Sequence, residues 1–144
     1  MVDVVNRYAS QDLFIDQEIH ERLGSFVSRA ERDNKPFSRQ VDAWWVAMCI
    51  GVRMGRRTSA IGKVVKFMDG AILSTDPWRI TQLELLALSQ GSEAVLDSPS
   101  AVIRIATEYA NTGFPWLLDQ MLGQAEPALA LMIKLSAFDE LEGL

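Results

Sequence analysis

Between Pro36 and Arg57 the chain reads PFSRQVDAWWVAMCIGVRMGRR, and small residues recur there at every fourth position: Ala43, Ala47, Gly51 and Gly55. In a helix these four fall along one ridge, and a ridge without bulk lets a second backbone come close. Phe37 stands just before the segment, and Ser38 has the hydroxyl of an N-cap, so a helix is expected from Ser38 to about Gly55. The run AWWVAMCI is apolar on nearly every side and should be buried on more than one face. Arg53, Arg56 and Arg57 follow where the helix would surface. A chain with such an element must fold around it.

The remaining composition sets the scale. With 144 residues, 49% hydrophobic and 23% charged, the chain suits one folded domain that needs no disulfide or metal. The single cysteine, Cys49, has no internal partner, and the polar start MVDVVNRYAS is unlike a secretory signal, so a cytoplasmic protein is expected. The longest apolar run falls short of the roughly 20 residues of a membrane span, and no membrane contact is expected.

The fold class expected is mostly α, a single helical domain over 1–144. Residues 1–60 would form an N-terminal helical hairpin with a short strand at Leu13–Ile15, after a loosely ordered start at 1–12. Asp16 would cap a first helix whose stripe is Ile19, Leu23, Phe26, Val27 and Ala30, and ERDNKP would turn the chain into the second. Residues 58–75 read as irregular, although KVVKFM alternates like a strand. A C-terminal bundle over 76–144 follows, its helices opened at Asp76-Pro77, Ser98-Pro99 and Glu126-Pro127. Asn111–Gly113 would stop the middle helix, leaving a short one at Trp116–Leu122. The helical share should reach two thirds.

Charge is unevenly spread behind a net −5. From Ala43 to Met68 there are five bases, Arg53, Arg56, Arg57, Lys63 and Lys66, and no acid. From Glu84 onward nine acids face only Arg104 and Lys134. Such a split suits a nucleic-acid face, head-to-tail contact between copies, or docking on an oppositely charged partner.

Catalytic patterns are missing. His20 is the only histidine, and no His/Cys cluster has metal-ligand spacing. Cys49 between Met48 and Ile50 reads as an inert core thiol. GRRTSAIGK at Gly55–Lys63 departs from a phosphate loop, with glycines too far apart and Val64 where a magnesium-holding hydroxyl belongs. Trp44, Trp45, Trp78 and Trp116 lie in apolar helical runs and read as core. Neither cofactor nor metal is expected, and the binding residues expected are Arg53, Arg56, Arg57, Lys63 and Lys66.

The succession of strand, helix, turn and capped helix over residues 13–52 resembles the ribbon-helix-helix arrangement of small bacterial DNA-binding proteins. The residues Pro36, Phe37, Asp42, Ala43, Ala47, Gly51, Gly55, Arg56 and Arg57 resemble a motif of small accessory proteins of bacterial DNA phosphorothioation (Dnd) and related phage-defence islands. That resemblance, over about the first 60 residues, implies a cytoplasmic, non-enzymatic accessory subunit that works with DNA or with larger defence proteins, while the basic residues themselves leave DNA and RNA both open as partners. Two alternatives stand beside it: a dimeric ribbon-helix-helix-like transcriptional regulator, and a structural protein-protein adaptor. A homo-oligomer fits each. The candidate ribbon carries acids and no side chain suited to reading base edges, and the C-terminal half has no counterpart in the small repressors.

Overall fold

The computed structural model describes residues 6–30, 34–60 and 62–142, the last five by backbone alone. Strand β1 (Asp12–Asp16) leads into helix α1 (Gln17–Leu23), then α2 (Gln40–Met54), strand β2 (Val64–Asp69), a 3-10 turn (Gly70–Thr75), α3 (Trp78–Ser89), a second 3-10 turn (Glu93–Asp97), α4 (Pro99–Met121) and α5 (Pro127–Glu142). The protein is mostly helical, at 62%, a little under the expected two thirds. The shortfall has a physical source: α1 stops at Leu23 instead of running on along its stripe to Ala30, because the backbone of Phe26–Ser28 turns to bond Phe37.

β2 runs antiparallel to β1, pairing Leu13 with Met68 and Ile15 with Val65. The register slips between Leu13 and Phe14, so Phe67 is the unpaired residue of a bulge, and its ring is buried. The expected strand at 13–15 is therefore present, and the irregular reading of 58–75 is corrected over Val64–Asp69. The start of the chain is also better anchored than expected. Tyr8 is wholly buried, and the Asn6 side-chain amide donates to the Gly70 carbonyl (3.0 Å) and to Ser74 Oγ (2.9 Å). Residues 1–5 lie outside the described residues.

α4 is the hub of the molecule, with α2 as its main partner and α1, α3 and α5 also against it. The contact with α2 is reciprocal and close. A Cβ on Gly51 would overlap the Tyr109 carbonyl oxygen, and one on Gly113 would overlap that of Ala47. Ala43, Ala47 and Gly51 thus form the expected ridge. Gly55 does not belong to it: at φ 69° it is the left-handed C-cap of α2, with open space around it.

Several local expectations are corrected by these contacts. α4 runs unbroken through Asn111–Gly113, because Gly113 seats Ala47 and the Asn111 side chain donates to the Thr58 carbonyl (3.0 Å) instead of to its own backbone. Pro115 is tolerated on an exposed face. α1 ends at Leu23, since the backbone of Phe26–Ser28 turns to bond Phe37. Phe26 and Val27 are buried all the same. α1 and α2 do not form the expected hairpin pair; α1 rests on α4 and the strands, tied by Arg22 to Asp119 at 3.2 Å. At the cap positions Ser98 accepts from the Ala101 amide (3.3 Å) as its sequence implies, whereas Ser38 and Asp16 make no cap bond. No helix among the described residues is long and apolar enough to cross a membrane.

Candidate interaction surface

The five bases picked from the sequence do not gather into one free patch. Arg53 lies in the last turn of α2, and Arg56 and Arg57 follow its cap. Arg57 binds Glu108 of α4, with Nη2 2.5 Å and Nε 3.1 Å from Oε1. The chain beyond it is strapped to the same helix: the Thr58 amide donates to the Glu108 carbonyl (3.0 Å), and the Thr58 and Thr112 hydroxyls lie 2.6 Å apart. Lys66 projects from β2 between Asp69 (2.5 Å) and Asp12 (3.1 Å). The hydrogen bonds that its ammonium donates to these two carboxylates hold its pKa above the usual lysine value and pull that of Asp69 down. Lys63 sits where its carbonyl accepts from the Gln17 amide, at the start of α1 (2.8 Å). Arg56 and Lys63 are exposed and make no ion pair among the described residues. The basic and acidic halves of the sequence thus partly neutralise each other.

A second arrangement was not foreseen. Where α2 and α3 begin, two arginines and two aspartates interlock. Arg39, the residue preceding α2, places Nη2 3.0 Å from Asp42 and 2.9 Å from Asp76. Arg79 of α3 donates from Nη2 to Asp42 at 2.8 Å and comes within 3.9 Å of Asp76. Asp76 is therefore drawn to arginines instead of capping α3, whose N-cap is Pro77. Burial works to raise the Asp42 pKa, but the bonds from Arg79 and Arg39 outweigh it and hold the carboxyl below its ordinary value.

Arg79 is buried, at 6% exposure, and its guanidinium lies against two indoles, 5.3 Å from the Trp45 ring centre and 5.1 Å from that of Trp78. The indoles meet edge to face, 5.4 Å apart. A cation enclosed this way gains from the ring faces as well as from its carboxylate. Both rings gain a fixed position at the surface. Trp78, expected inward, is 53% exposed, because the arginine below it occupies the inward place.

From these indoles a groove of about 460 Å³ runs between α2 and α3. Its walls are Trp45, Met48, Cys49 and Val52 on one side and Trp78, Gln82, Leu85 and Leu86 on the other. Leu85 is 55% and Val52 40% exposed, an unusual state for side chains of this size gathered in one place. Cys49 opens to solvent here and is not the expected core thiol; burial of one side of it raises the thiol pKa, against a smaller lowering by the Arg79 charge. The groove wall contains no acid. Only Trp44 of the four tryptophans is fully buried.

Among the described residues no three His, Cys, Asp or Glu side chains converge as a metal site, and His20 lines a cleft of about 550 Å³ with Glu21, Arg29 and Gln40. The groove had a faint trace in the sequence, two tryptophans followed at 79 by an arginine in an apolar helix. Nothing local tells which indole is covered. In comparisons with known proteins no family model matches the chain, and no curated protein and no solved structure is significantly similar to it.

Proposed function

We propose that this protein is a non-catalytic binding subunit that docks a protein segment in the groove between α2 and α3. The observation that carries this reading is the cluster of solvent-facing Trp78, Leu85 and Val52 around a wall free of acids. Clustered apolar side chains with two fixed indoles suit the anchors of a protein contact, and tryptophan is prominent among such anchors. Arg56, exposed just past the end of α2, favours a segment with carboxylates beside its apolar residues. The resemblance of Pro36–Arg57 supports placing this subunit in a bacterial DNA-phosphorothioation or phage-defence system, where the docked protein would be a larger component.

Nucleic-acid contact through Arg53, Arg56, Arg57, Lys63 and Lys66 is the second reading, favoured by the exposed side chains of Arg56 and Lys63. It is weakened by the carboxylates that hold Arg57 and Lys66, since a phosphate must displace them. A dimeric ribbon-helix-helix-like regulator has less support, because β1 is already paired with β2 of its own chain. A photoreactive amino acid at Leu85, with a control at Ser59, tests the docking reading in cells of the source organism. Cross-links to an identified protein from position 85 alone are expected. Cross-links to nucleic acid, or none from position 85, would overturn it.

A further inference from the structure

The groove needs an occupant with exposed apolar residues at helical spacing and nearby acids, and the chain itself carries one. On α5, Leu131 is buried and Leu135 half-buried against the body of the molecule, while Leu129, Met132 and Ile133 are left 51%, 66% and 60% exposed. Their spacing, one, four and five along the helix, is that of anchors laid into a hydrophobic groove. The contact of α5 with α4 turns these three side chains outward, so they do not reach the groove of their own chain.

We propose that the groove is filled by α5 of a second copy of this chain, an inference that rests on the docking reading above. Charge points the same way. From Gly123 onward the sequence has four acids, Glu126, Asp139, Glu140 and Glu142, against Lys134 alone. The groove is lined by no acid, and Arg56, exposed and without an ion pair among the described residues, follows the C-cap of α2 four residues after the groove residue Val52.

The order of these features also selects a direction. Met132 is the middle one of the three exposed side chains of α5, and Cys49 lies midway along the α2 wall of the groove. The acids of α5 gather toward its C-terminal end, while Arg56 stands just past the C-terminal end of α2. With α5 parallel to the α2 of its partner, Met132 lies over Cys49 as the acidic end of α5 comes toward Arg56. Groove and helix are different surfaces, and a two-fold dimer forms when each copy lays its α5 in the groove of the other, the two equivalent contacts together making one isologous interface.

The experiment uses the full chain in sedimentation velocity across a micromolar concentration series, with three variants. Wild type is expected to associate reversibly. Ile133→Glu on α5 and Leu85→Glu in the groove, both at exposed positions, should each weaken association at least about tenfold while leaving the circular dichroism unchanged. An equimolar mixture of the two should recover a heterodimer, since one intact helix and one intact groove remain. Met132→Cys should form a covalent dimer on mild oxidation, with peptide mapping giving a 132-to-49 linkage. A monomeric wild type, association untouched by both charges, or a 132-to-132 linkage would overturn the inference. If the wild type is monomeric yet position 85 still cross-links to another protein, the docking reading survives with a different occupant; if position 85 cross-links to nothing, both fall.

Discussion

At the scale of single residues the glycines divide sharply. Gly51 and Gly113 have backbone carbonyls of the facing helix where a Cβ would go, while Gly55 has open space and a left-handed φ. Alanine at a helical glycine normally gains up to about 1 kcal/mol in propensity, but here overlap with rigid backbone must force α2 and α4 apart. Gly51→Ala and Gly113→Ala are each expected to cost more than about 2 kcal/mol in urea denaturation, with the same sign and larger size for Gly51→Leu and Ala47→Leu. Gly55→Ala should cost about 1 kcal/mol, the strain of one side chain in that conformation. A wild-type midpoint for Gly51→Ala would show that the two helices are not in this contact.

Asp42 belongs to the same scale. It neutralises a buried guanidinium, and its removal leaves Arg79 with only a distant carboxylate. Breaking a buried pair costs roughly 3–5 kcal/mol, and the quarter exposure of Asp42 reduces this, so Asp42→Asn is expected to lose at least about 2 kcal/mol at neutral pH. The pH dependence follows from a folded-state pKa below the unfolded one. The stabilising contribution is complete above the ordinary carboxylate value, near about 4, and is lost as pH falls through the depressed folded value. The gap in urea midpoint between wild type and Asp42→Asn should therefore be widest near pH 7 and close in acid. A gap independent of pH would mean that the carboxylate charge is not what stabilises the pair.

At the scale of elements, the strap after α2 shows how charge that looks free in sequence is used in the fold. Arg57, Thr58 and Ser59 all reach α4, at Glu108 and Thr112. Arg56, one position earlier, reaches nothing among the described residues. Arg56→Glu should change stability by less than about 0.5 kcal/mol, whereas Arg57→Glu sets two carboxylates against each other and should cost about 1 kcal/mol or more. Amide hydrogen exchange would detect the difference locally, with faster exchange at Thr58 in the second variant only. Equal effects from the two substitutions would remove the strap from the account.

At the scale of the whole molecule, charge that is split along the sequence is partly rejoined in space. Arg22 meets Asp119, Arg57 meets Glu108, and Arg7 meets Glu84. Electrophoretic shift of DNA or RNA by the wild type is accordingly expected to be weak and to vanish with modest salt, with a slope reflecting chiefly Arg56 and Lys63, which make no ion pair among the described residues. A steep slope requiring all five, abolished in the double variant Arg56→Glu with Arg57→Glu, would restore the nucleic-acid reading to first place.

What the sequence determined by itself was whatever depends on neighbours a few positions away. The small-residue ridge in α2, the cap at Ser98, the strand at 13–15 and the mostly helical class all follow from periodicity and local backbone chemistry. Tertiary structure decided the rest, wherever a distant group outbid the local one. Gly113 was a helix stop until Ala47 required it inside one. Val64–Asp69 had the alternation of a strand but needed β1 to supply the ladder. Trp45 and Trp78 looked like core until a buried Arg79, held by Asp42, took the interior place and left the indoles at the surface. Hydrogen bonds and overlap between groups tens of residues apart have no signature in local spacing, which is why the ridge was legible and the groove was not.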